Sequence, residues 1–274
     1  MWGSCVAELT KLIRRPANWF MLAIAIVLEL MFAYLLPLAG ASGAASGAPN
    51  SDRGLASILP DKLIGNSIGG LPVFIGAILL VIGVLAVGVE YGWSTWKAVL
   101  TQGPSRLTVY GGKLFALAVA ALVVVVTMFV AGAVTSAVVT VVKDQPANWP
   151  SATDILAGVG AGWLIAMTWA VLGALLAIAL RGVALPIGLG LMWMLVVQNL
   201  LFAIAAPLLG WVNDLQFGLP GSNAGSLVAS LGGSTQTPGV AELTGPVQAT
   251  MVIAAYLVVF AGIGGWLLRR RDVL

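Results

Sequence analysis

Residues 155–180 read ILAGVGAGWLIAMTWAVLGALLAIAL, and this stretch decides the fold because it contains no charged side chain. About 17–25 consecutive apolar residues are enough to cross the hydrocarbon core of a bilayer as an α-helix. Only residues 181–183 separate it from a second apolar stretch, residues 184–206. The sequence therefore predicts two membrane spans joined by a tight helical hairpin.

Six such apolar stretches occur along the chain. They are residues 19–38, 70–89, 114–142, 155–180, 184–206 and 247–268. The 274 residues are 60% hydrophobic and 8% charged, with a mean hydropathy of +1.03, whereas about a quarter of a soluble domain is charged. The predicted fold class is all-α: a polytopic membrane bundle of six transmembrane helices, with residues 1–274 forming a single transmembrane domain.

The basic residues predict the orientation of the bundle. If both termini are cytoplasmic, ten of the 13 Lys and Arg residues fall on the cytoplasmic side, where membrane proteins carry their excess of positive charge. The ten are Lys11, Arg14, Arg15, Lys97, Arg106, Lys113, Arg181, Arg269, Arg270 and Arg271. The other three are Arg53, Lys62 and Lys143.

Residues 1–16 predict an amphipathic helix at the membrane surface. Its apolar stripe is formed by Trp2, Val6, Leu9 and Ile13, and its polar stripe by Ser4, Glu8, Lys11 and Arg15. A helix with two such faces lies flat at the headgroup boundary. Pro16 marks the turn into the first span.

Two long segments fall on the outer side in this topology. Residues 39–69 are rich in Gly, Ala and Ser, so we expect their first half to be flexible. Residues 207–246 mix apolar side chains with many glycines. They are too apolar for a loop in water and too interrupted for a span, which predicts a re-entrant helical segment.

The composition excludes several functional classes. Histidine is absent and Cys5 is the single cysteine, so no Ser–His or Cys–His pair can form, and we expect neither an enzyme nor a metal site. The net charge of +3 is too small to predict a nucleic-acid partner. The P-loop motif G-x-x-x-x-G-K-[ST] does not occur, so any ATP would be bound by another chain.

The segment between the second and third spans, residues 90–113, carries the most informative pattern. Residues 90–100 read EYGWSTWKAVL and precede Gly103-Pro104, which predicts a short helix that ends before this pair. Trp93, Trp96 and Leu100 share one face of that helix. The helix either inserts into a groove of a soluble partner or lies on the inner leaflet with its tryptophans at the interface.

The same segment resembles the permeases of type-2 ABC exporters, which include single-domain permeases of bacteriocin-immunity and drug-export systems. The similar residues are Glu90, Gly92, Thr95, Leu100, Ser105, Arg106 and Lys113. The segment Glu8-Leu9-x-Lys11-Leu12-x-Arg14 is similar to the family's opening amphipathic helix, and the six-span layout is similar as well. Trp96 and Gly103-Pro104 depart from the pattern, and the latter would shorten the helix.

The resemblance implies a coupling helix that docks into a cytoplasmic ABC ATPase subunit. It implies that ATP and Mg²⁺ are bound by that partner, that this chain holds no cofactor, and that it pairs with a second copy or a related permease in a prokaryotic plasma membrane. The implied function is export or extraction of an amphipathic substrate. The implied coupling residues are Glu90, Tyr91, Gly92, Trp93, Thr95, Trp96, Lys97, Leu100, Ser105 and Arg106.

Four basic residues are expected to contact lipid headgroups. They are Lys11, Arg14, Arg15 and Lys113. Basic side chains next to a span are attracted to anionic headgroups. For Arg106 and Lys113, acidic residues of the partner and ordinary anchoring on the positive side of the membrane are equal alternatives.

Glu29 lies near the middle of the first span, where a charged side chain costs roughly 2.5–3.5 kcal/mol on insertion scales. It either lines a substrate path or is a neutral, hydrogen-bonded packing residue. Gln198 and Asn199 in the fifth span either line that path or join helices. If Glu29 binds a coupling ion, the chain would instead be a secondary transporter or channel. A membrane scaffold that moves nothing is the third possibility.

Overall fold

The computed structural model describes residues 2–44, 47–92, 105–205 and 207–270. Within these ranges the chain is helical and contains no strand. The α-helices are α1 (Trp2–Arg14), α2 (Pro16–Glu29), α3 (Leu36–Ala41), α4 (Leu63–Ile68), α5 (Phe74–Gly92), α6 (Arg106–Val142), α7 (Ala152–Leu180), α8 (Ala184–Leu191), α9 (Phe202–Ala205), α10 (Gly210–Gln216), α11 (Pro220–Ser230) and α12 (Pro246–Arg270). Two π-helical segments, Leu30–Leu35 and Met192–Leu201, continue α2 and α8.

Five helical segments of the described chain are long and apolar enough to cross a membrane. They are Pro16–Ala41, Phe74–Tyr91, Arg106–Val142, Ala152–Leu180 and Pro246–Arg270. The fifth predicted span corresponds to a shorter apolar helix, Ala184–Leu200. The predicted fold class, a polytopic bundle of membrane helices, is therefore confirmed.

The predicted hairpin between the fourth and fifth spans is also confirmed. Helix α7 ends at Leu180 and α8 begins at Ala184. Arg181 ends α7 in the left-handed conformation, with φ of 51°. This conformation reverses the chain within three residues.

The closest helix packing lies between α5 and α7. A Cβ atom added to Gly83 of α5 would overlap the carbonyl oxygen of Ala170, and one added to Gly173 of α7 would overlap that of Leu80. Small residues let membrane helices approach until their backbones touch. This seam fixes α5, whose first and last turns border the two sites described below.

Helix α1 lies along the beginning of α6, and its apolar and polar faces point in different directions. Trp2, Val6 and Ile13 of the predicted apolar stripe are exposed on the outside of the bundle. Glu8 of the polar stripe is buried against the bundle. Pro16 occupies the first position of α2, as expected at the start of a helix.

Two segments that the sequence assigns to the outer side pack onto the bundle. All six residues of α4 are buried against α6 and α7, and the sequence pattern did not predict this helix. Helix α11 is buried mainly against α12. Gly65 of α4 lies against the backbone of Gly232, so the two segments touch. Re-entry of residues 207–246 into the membrane stays a prediction.

Candidate functional site

Four charged side chains meet where α1, α5 and α6 come together, and we call them the charge network. They are Glu8 and Lys11 of α1, Glu90 in the last turn of α5, and Lys113 near the start of α6. Helix α5 ends at Gly92 and α6 begins at Arg106. The charge network therefore lies at the base of the predicted coupling loop, of which residues 93–104 fall outside the described residues.

The ammonium group of Lys113 is the centre of this network. Its Nζ lies 2.9 Å from Glu8 Oε2 and 2.7 Å from Glu90 Oε1. It also donates a hydrogen bond of 3.0 Å to the carbonyl oxygen of Ala86. Lys11 Nζ lies 2.7 Å from Glu8 Oε1 and 2.8 Å from Glu90 Oε1. Each lysine thus bridges both carboxylates.

The network is buried and electrically balanced. Lys113 is 1% exposed, and Glu8 and Glu90 are 6% and 4% exposed. Burial lowers the pKa of Lys11, but hydrogen bonds and charge attraction from Glu8 and Glu90 raise it more, so the net pKa lies above its ordinary value. Buried charges cost several kcal/mol each unless they are paired. The two ammonium groups therefore make the two buried carboxylates tolerable, and α1 is tied to α5 and α6.

The other described residues of the predicted coupling segment have structural positions. Tyr91 and Gly92 form the end of α5. Ser105 caps α6 by accepting a hydrogen bond from the Thr108 amide. Arg106 Nη1 donates to the Leu268 carbonyl oxygen of α12 at 3.4 Å. Trp93, Thr95, Trp96, Lys97 and Leu100 lie outside the described residues.

The structure also locates the basic residues that the sequence assigns to lipid headgroups. Arg14 is exposed, and Arg15 Nη1 donates to the Leu85 carbonyl oxygen at 2.7 Å. Lys11 is partly exposed within the charge network. Lys113 was expected to contact lipid headgroups. Its ammonium group is instead buried and bonds to two carboxylates, which leaves no room for a lipid phosphate.

A cavity of about 420 Å³ lies at the first turn of α5, and we call it the Glu29 cavity. It is lined by Leu28, Glu29, Phe32, Ala33, Pro49, Asn50, Asp52, Arg53, Gly65, Asn66, Gly69, Gly70, Phe74, Ile75, Gln236, Thr237 and Pro238. Phe74 and Glu90 are 16 residues apart on α5, which is about 24 Å at a rise of 1.5 Å per residue. The Glu29 cavity and the charge network are therefore at opposite ends of one rigid helix.

Glu29 is 5% exposed, and the Ser67 hydroxyl of α4 is close enough to interact with its carboxyl group. Among the described residues, however, no hydrogen bond of good geometry within 3.5 Å reaches either carboxyl oxygen. The hydroxyl groups of Tyr34, Ser67 and Ser136 are buried in the same region, where Tyr34 is a neighbour of Ser136 and Asn66. Gly132 of α6 makes room for them, because a Cβ atom there would lie 2.7 Å from the Tyr34 oxygen and 3.0 Å from Ser67 Oγ. Buried polar groups that lack a well-formed hydrogen bond are rare in proteins, and each one demands an explanation such as a functional role.

The polar side of the Glu29 cavity is formed by Asn66 of α4 and by residues of two connecting segments. Arg53 Nη2 donates to Asn66 Oδ1 at 3.1 Å, and Gln236 Nε2 donates to Asp52 Oδ2 at 3.2 Å. Burial lowers the pKa of the Arg53 guanidinium. Asn66 Nδ2 donates to the Ser57 carbonyl oxygen at 2.8 Å, which fixes the amide that receives Arg53. These bonds hold the loops of residues 50–53 and 236–238 together.

Gln198 and Asn199 lie elsewhere, in the π-helical segment Met192–Leu201. Gln198 Oε1 accepts a hydrogen bond of 2.7 Å from the Gly221 amide of α11. Asn199 Nδ2 donates to the Met194 carbonyl oxygen at 2.6 Å. Neither residue lines the Glu29 cavity. Glu29 directly precedes the other π-helical segment, and such segments are frequent at functional sites.

Comparison with protein families identifies the chain. The model of a family described as ABC-2 family transporter protein matches residues 5–197. The chain belongs to this family. It is therefore a transmembrane permease of an ABC transporter. A search of curated proteins gives no match.

The matched residues 5–197 of this ABC-2 permease include the whole charge network and Glu29. They stop just before Gln198 and leave out α9–α12, so the family match does not extend to Gln236 of the cavity. Most residues of the two sites thus lie in the part of the chain that matches the family.

The sequence pattern of the ABC-2 permease pointed to Glu29, Glu90, Lys11 and Lys113, but not to the contacts that each of them makes. It missed Glu8 as a site residue, although Glu8 and Lys11 are three positions apart and face one way on α1. It also missed the polar residues around Glu29, which are Tyr34, Asp52, Arg53, Asn66, Ser67 and Ser136. The one signal for them was that Asp52 and Arg53 are adjacent charges within the Gly-, Ala- and Ser-rich segment of residues 39–69.

Proposed function

We propose that this ABC-2 permease exports an amphipathic substrate, or extracts it from the membrane, with energy from ATP that a separate cytoplasmic ABC ATPase subunit hydrolyses. ATP and Mg²⁺ are bound by that subunit, and a second permease copy or a related chain completes the pathway. The charge network at the base of the 93–104 loop carries the proposal. It supports a role of this loop in moving α1, α5 and α6 as one unit.

The physical basis of coupling is the geometry of the charge network. Buried ion pairs tolerate little separation, since a displaced partner leaves an uncompensated charge behind. A force applied to residues 93–104 therefore acts on the ends of α5 and α6 together, and Glu8 brings α1 with them. Closure of the ATPase would favour one of two helix arrangements, which is a shift of population between existing states.

The first test removes the aromatic face of the predicted coupling helix. We expect Trp96→Ala/Leu100→Ala to reduce retention of the ATPase in a pull-down from mild detergent by about tenfold or more, because buried tryptophans dominate many interfaces. Trp149→Ala/Leu208→Ala is the matched control, since both side chains are exposed elsewhere. Equal retention by the double variant and the wild type would rule out docking through this face.

The second test concerns Glu29 and the substrate path. We expect Glu29→Gln to reduce ATPase stimulation by amphiphilic substrates several-fold, in the range of about fivefold for a coupling free energy of 1 kcal/mol. Basal ATPase activity should stay unchanged. Glu242→Gln, which changes an exposed carboxylate, serves as the control. Wild-type stimulation by Glu29→Gln would assign Glu29 to packing.

The burial of Glu29, a carboxyl group inside a span, also favours a second candidate, an ion-coupled secondary transporter or channel. Vesicles that contain the permease alone would distinguish the two. Ion flux that needs no ATPase and is abolished by Glu29→Gln would favour this second candidate.

A further inference from the structure

Three ionisable residues line the Glu29 cavity: Glu29 inside a span, and Asp52 and Arg53, which carry opposite charges, in the short helical turn Ser51–Arg53. In the described part of the chain, none of the three forms an ion pair with N···O of 4.0 Å or less. This distinguishes the cavity from the charge network, where every charge is paired. Asp52 is exposed, and Arg53 is partly buried with Asp52 as a nearby opposite charge. Charged groups beside an apolar cavity that form no close ion pair with each other are the pattern expected of a ligand site.

We propose that the Glu29 cavity binds the zwitterionic head of an amphipathic molecule, with its phosphate at Arg53, its ammonium at Asp52, and its apolar part along Phe32 and Phe74. This deepens the proposed function, because it names the class of substrate. Only the transport of this ligand rests on the proposed function, since its binding needs no ATPase.

The guanidinium of Arg53 supplies the anion-binding half. It has five N–H donors in a planar fork, and the bond to Asn66 engages one of its nitrogens. Guanidinium forks bind phosphate oxygens with two parallel hydrogen bonds. Arg53 is partly buried, and burial of a charged group is costly, so a phosphate that enters the cavity stabilises its guanidinium.

Asp52 supplies the cation-binding half and excludes a purely anionic head. It is the neighbour of Arg53 in the short helical turn Ser51–Arg53. Its bond to Gln236 uses one oxygen, and a carboxylate has about four lone-pair positions. Asp52 would repel a head that carries only negative charge, and Arg53 would repel one that carries only positive charge. A phosphate and an ammonium a few bonds apart satisfy both signs.

The apolar side of the cavity accounts for the rest of the ligand. The rings of Phe32 and Phe74 are stacked, with centroids 6.3 Å apart and planes at 9°. Phe74 is 42% exposed on the outside of the bundle, at the start of a helix long enough to cross a membrane. Leu28 and Ile75 extend this wall. An acyl chain can therefore continue from the cavity along Phe74 into the lipid.

The test measures binding of lysophosphatidylethanolamine to the purified full-length permease by native mass spectrometry, without the ATPase. We expect Arg53→Gln and Asp52→Asn each to weaken binding by about tenfold, the effect of losing one charge-assisted contact. Asp61→Asn/Lys62→Gln is the control, because this exposed ion pair of 3.1 Å lies outside the cavity. It should bind like the wild type. Arg53→Lys keeps the charge and should retain part of the affinity.

Three comparison ligands identify what is recognised. Lysophosphatidylglycerol lacks the ammonium, N-acetylated lysophosphatidylethanolamine has it neutralised, and free phosphoethanolamine lacks the acyl chain. We expect all three to bind at least about tenfold more weakly. Equal binding of the first two, or wild-type affinity in both Asp52→Asn and Arg53→Gln, would overturn the zwitterion site. Equal binding of free phosphoethanolamine would overturn the amphipathic ligand in favour of a soluble one.

These outcomes are independent of the proposed function. If the lysolipid binds as expected but no ATPase co-purifies, only the ATP-driven function fails. If the ATPase co-purifies and the lysolipid shows no dependence on Asp52 or Arg53, only the substrate class fails.

Discussion

Lys113→Met is expected to destabilise the permease by about 3–5 kcal/mol, the usual cost of removing one partner from a buried ionic group. Lys113 is almost completely buried and bridges Glu8 and Glu90. Without its ammonium, two buried carboxylates share only Lys11, so one negative charge has no counter-charge within the network. The free energy of unfolding in mixed detergent micelles measures the effect.

A second substitution tests whether charge balance is the cause. Glu90→Gln/Lys113→Met removes one charge of each sign and leaves the Glu8–Lys11 pair, whose atoms are 2.7 Å apart. We expect the double variant to recover more than half of the lost stability, because neutral replacement of a buried pair is far less costly than breaking it. Additive losses from Glu90→Gln and Lys113→Met would show that the four charges do not act as a unit.

The bundle itself could be predicted because membrane spans are encoded locally. Each span is a continuous apolar stretch, and its limits are visible without knowledge of its neighbours. Helix α4 was not predicted, because a short helix is not encoded locally in the way that a span is. Its six residues, LIGNSI, are far too short for a span, and they are helical and buried because α6 and α7 cover them.

The contacts of the charge network could not be predicted from local patterns. Glu8 and Lys113 are 105 positions apart in the sequence, and nothing in their spacing shows that α1 lies along α6. A lysine at the start of a span is expected at the interface. Here Lys113 is instead buried because the polar face of α1 supplies its partner.

The Glu29 cavity shows the same limit. Glu29 was noticeable alone, since a carboxylate inside a span is expensive. Its neighbours come from four further segments, around Arg53, Asn66, Phe74 and Gln236, and only folding brings them together. The sequence thus identified the unusual residue but not the cavity that it lines.

Gly83→Ala is expected to destabilise the bundle by about 1–3 kcal/mol or more, the range for overpacking a tight interior. The added methyl group would overlap the carbonyl oxygen of Ala170 in α7. A backbone oxygen cannot rotate away as a side chain can, so α5 and α7 must separate. Gly173→Ala should act in the same way through the Leu80 carbonyl oxygen. Unfolding in mixed micelles measures both losses.

Gly160→Ala is the matched control, because Gly160 lies in α7 and a Cβ atom there would meet no other atom within 4 Å. It should be neutral or slightly stabilising, since alanine favours a helix over glycine by up to about 1 kcal/mol. Similar stability of Gly83→Ala and Gly160→Ala would mean that the α5–α7 seam adapts without loss of stability.

A rigid seam matters for transport, because α5 carries Glu90 at one end and borders the Glu29 cavity at the other. If the seam yields, α5 cannot transmit a movement between the two sites.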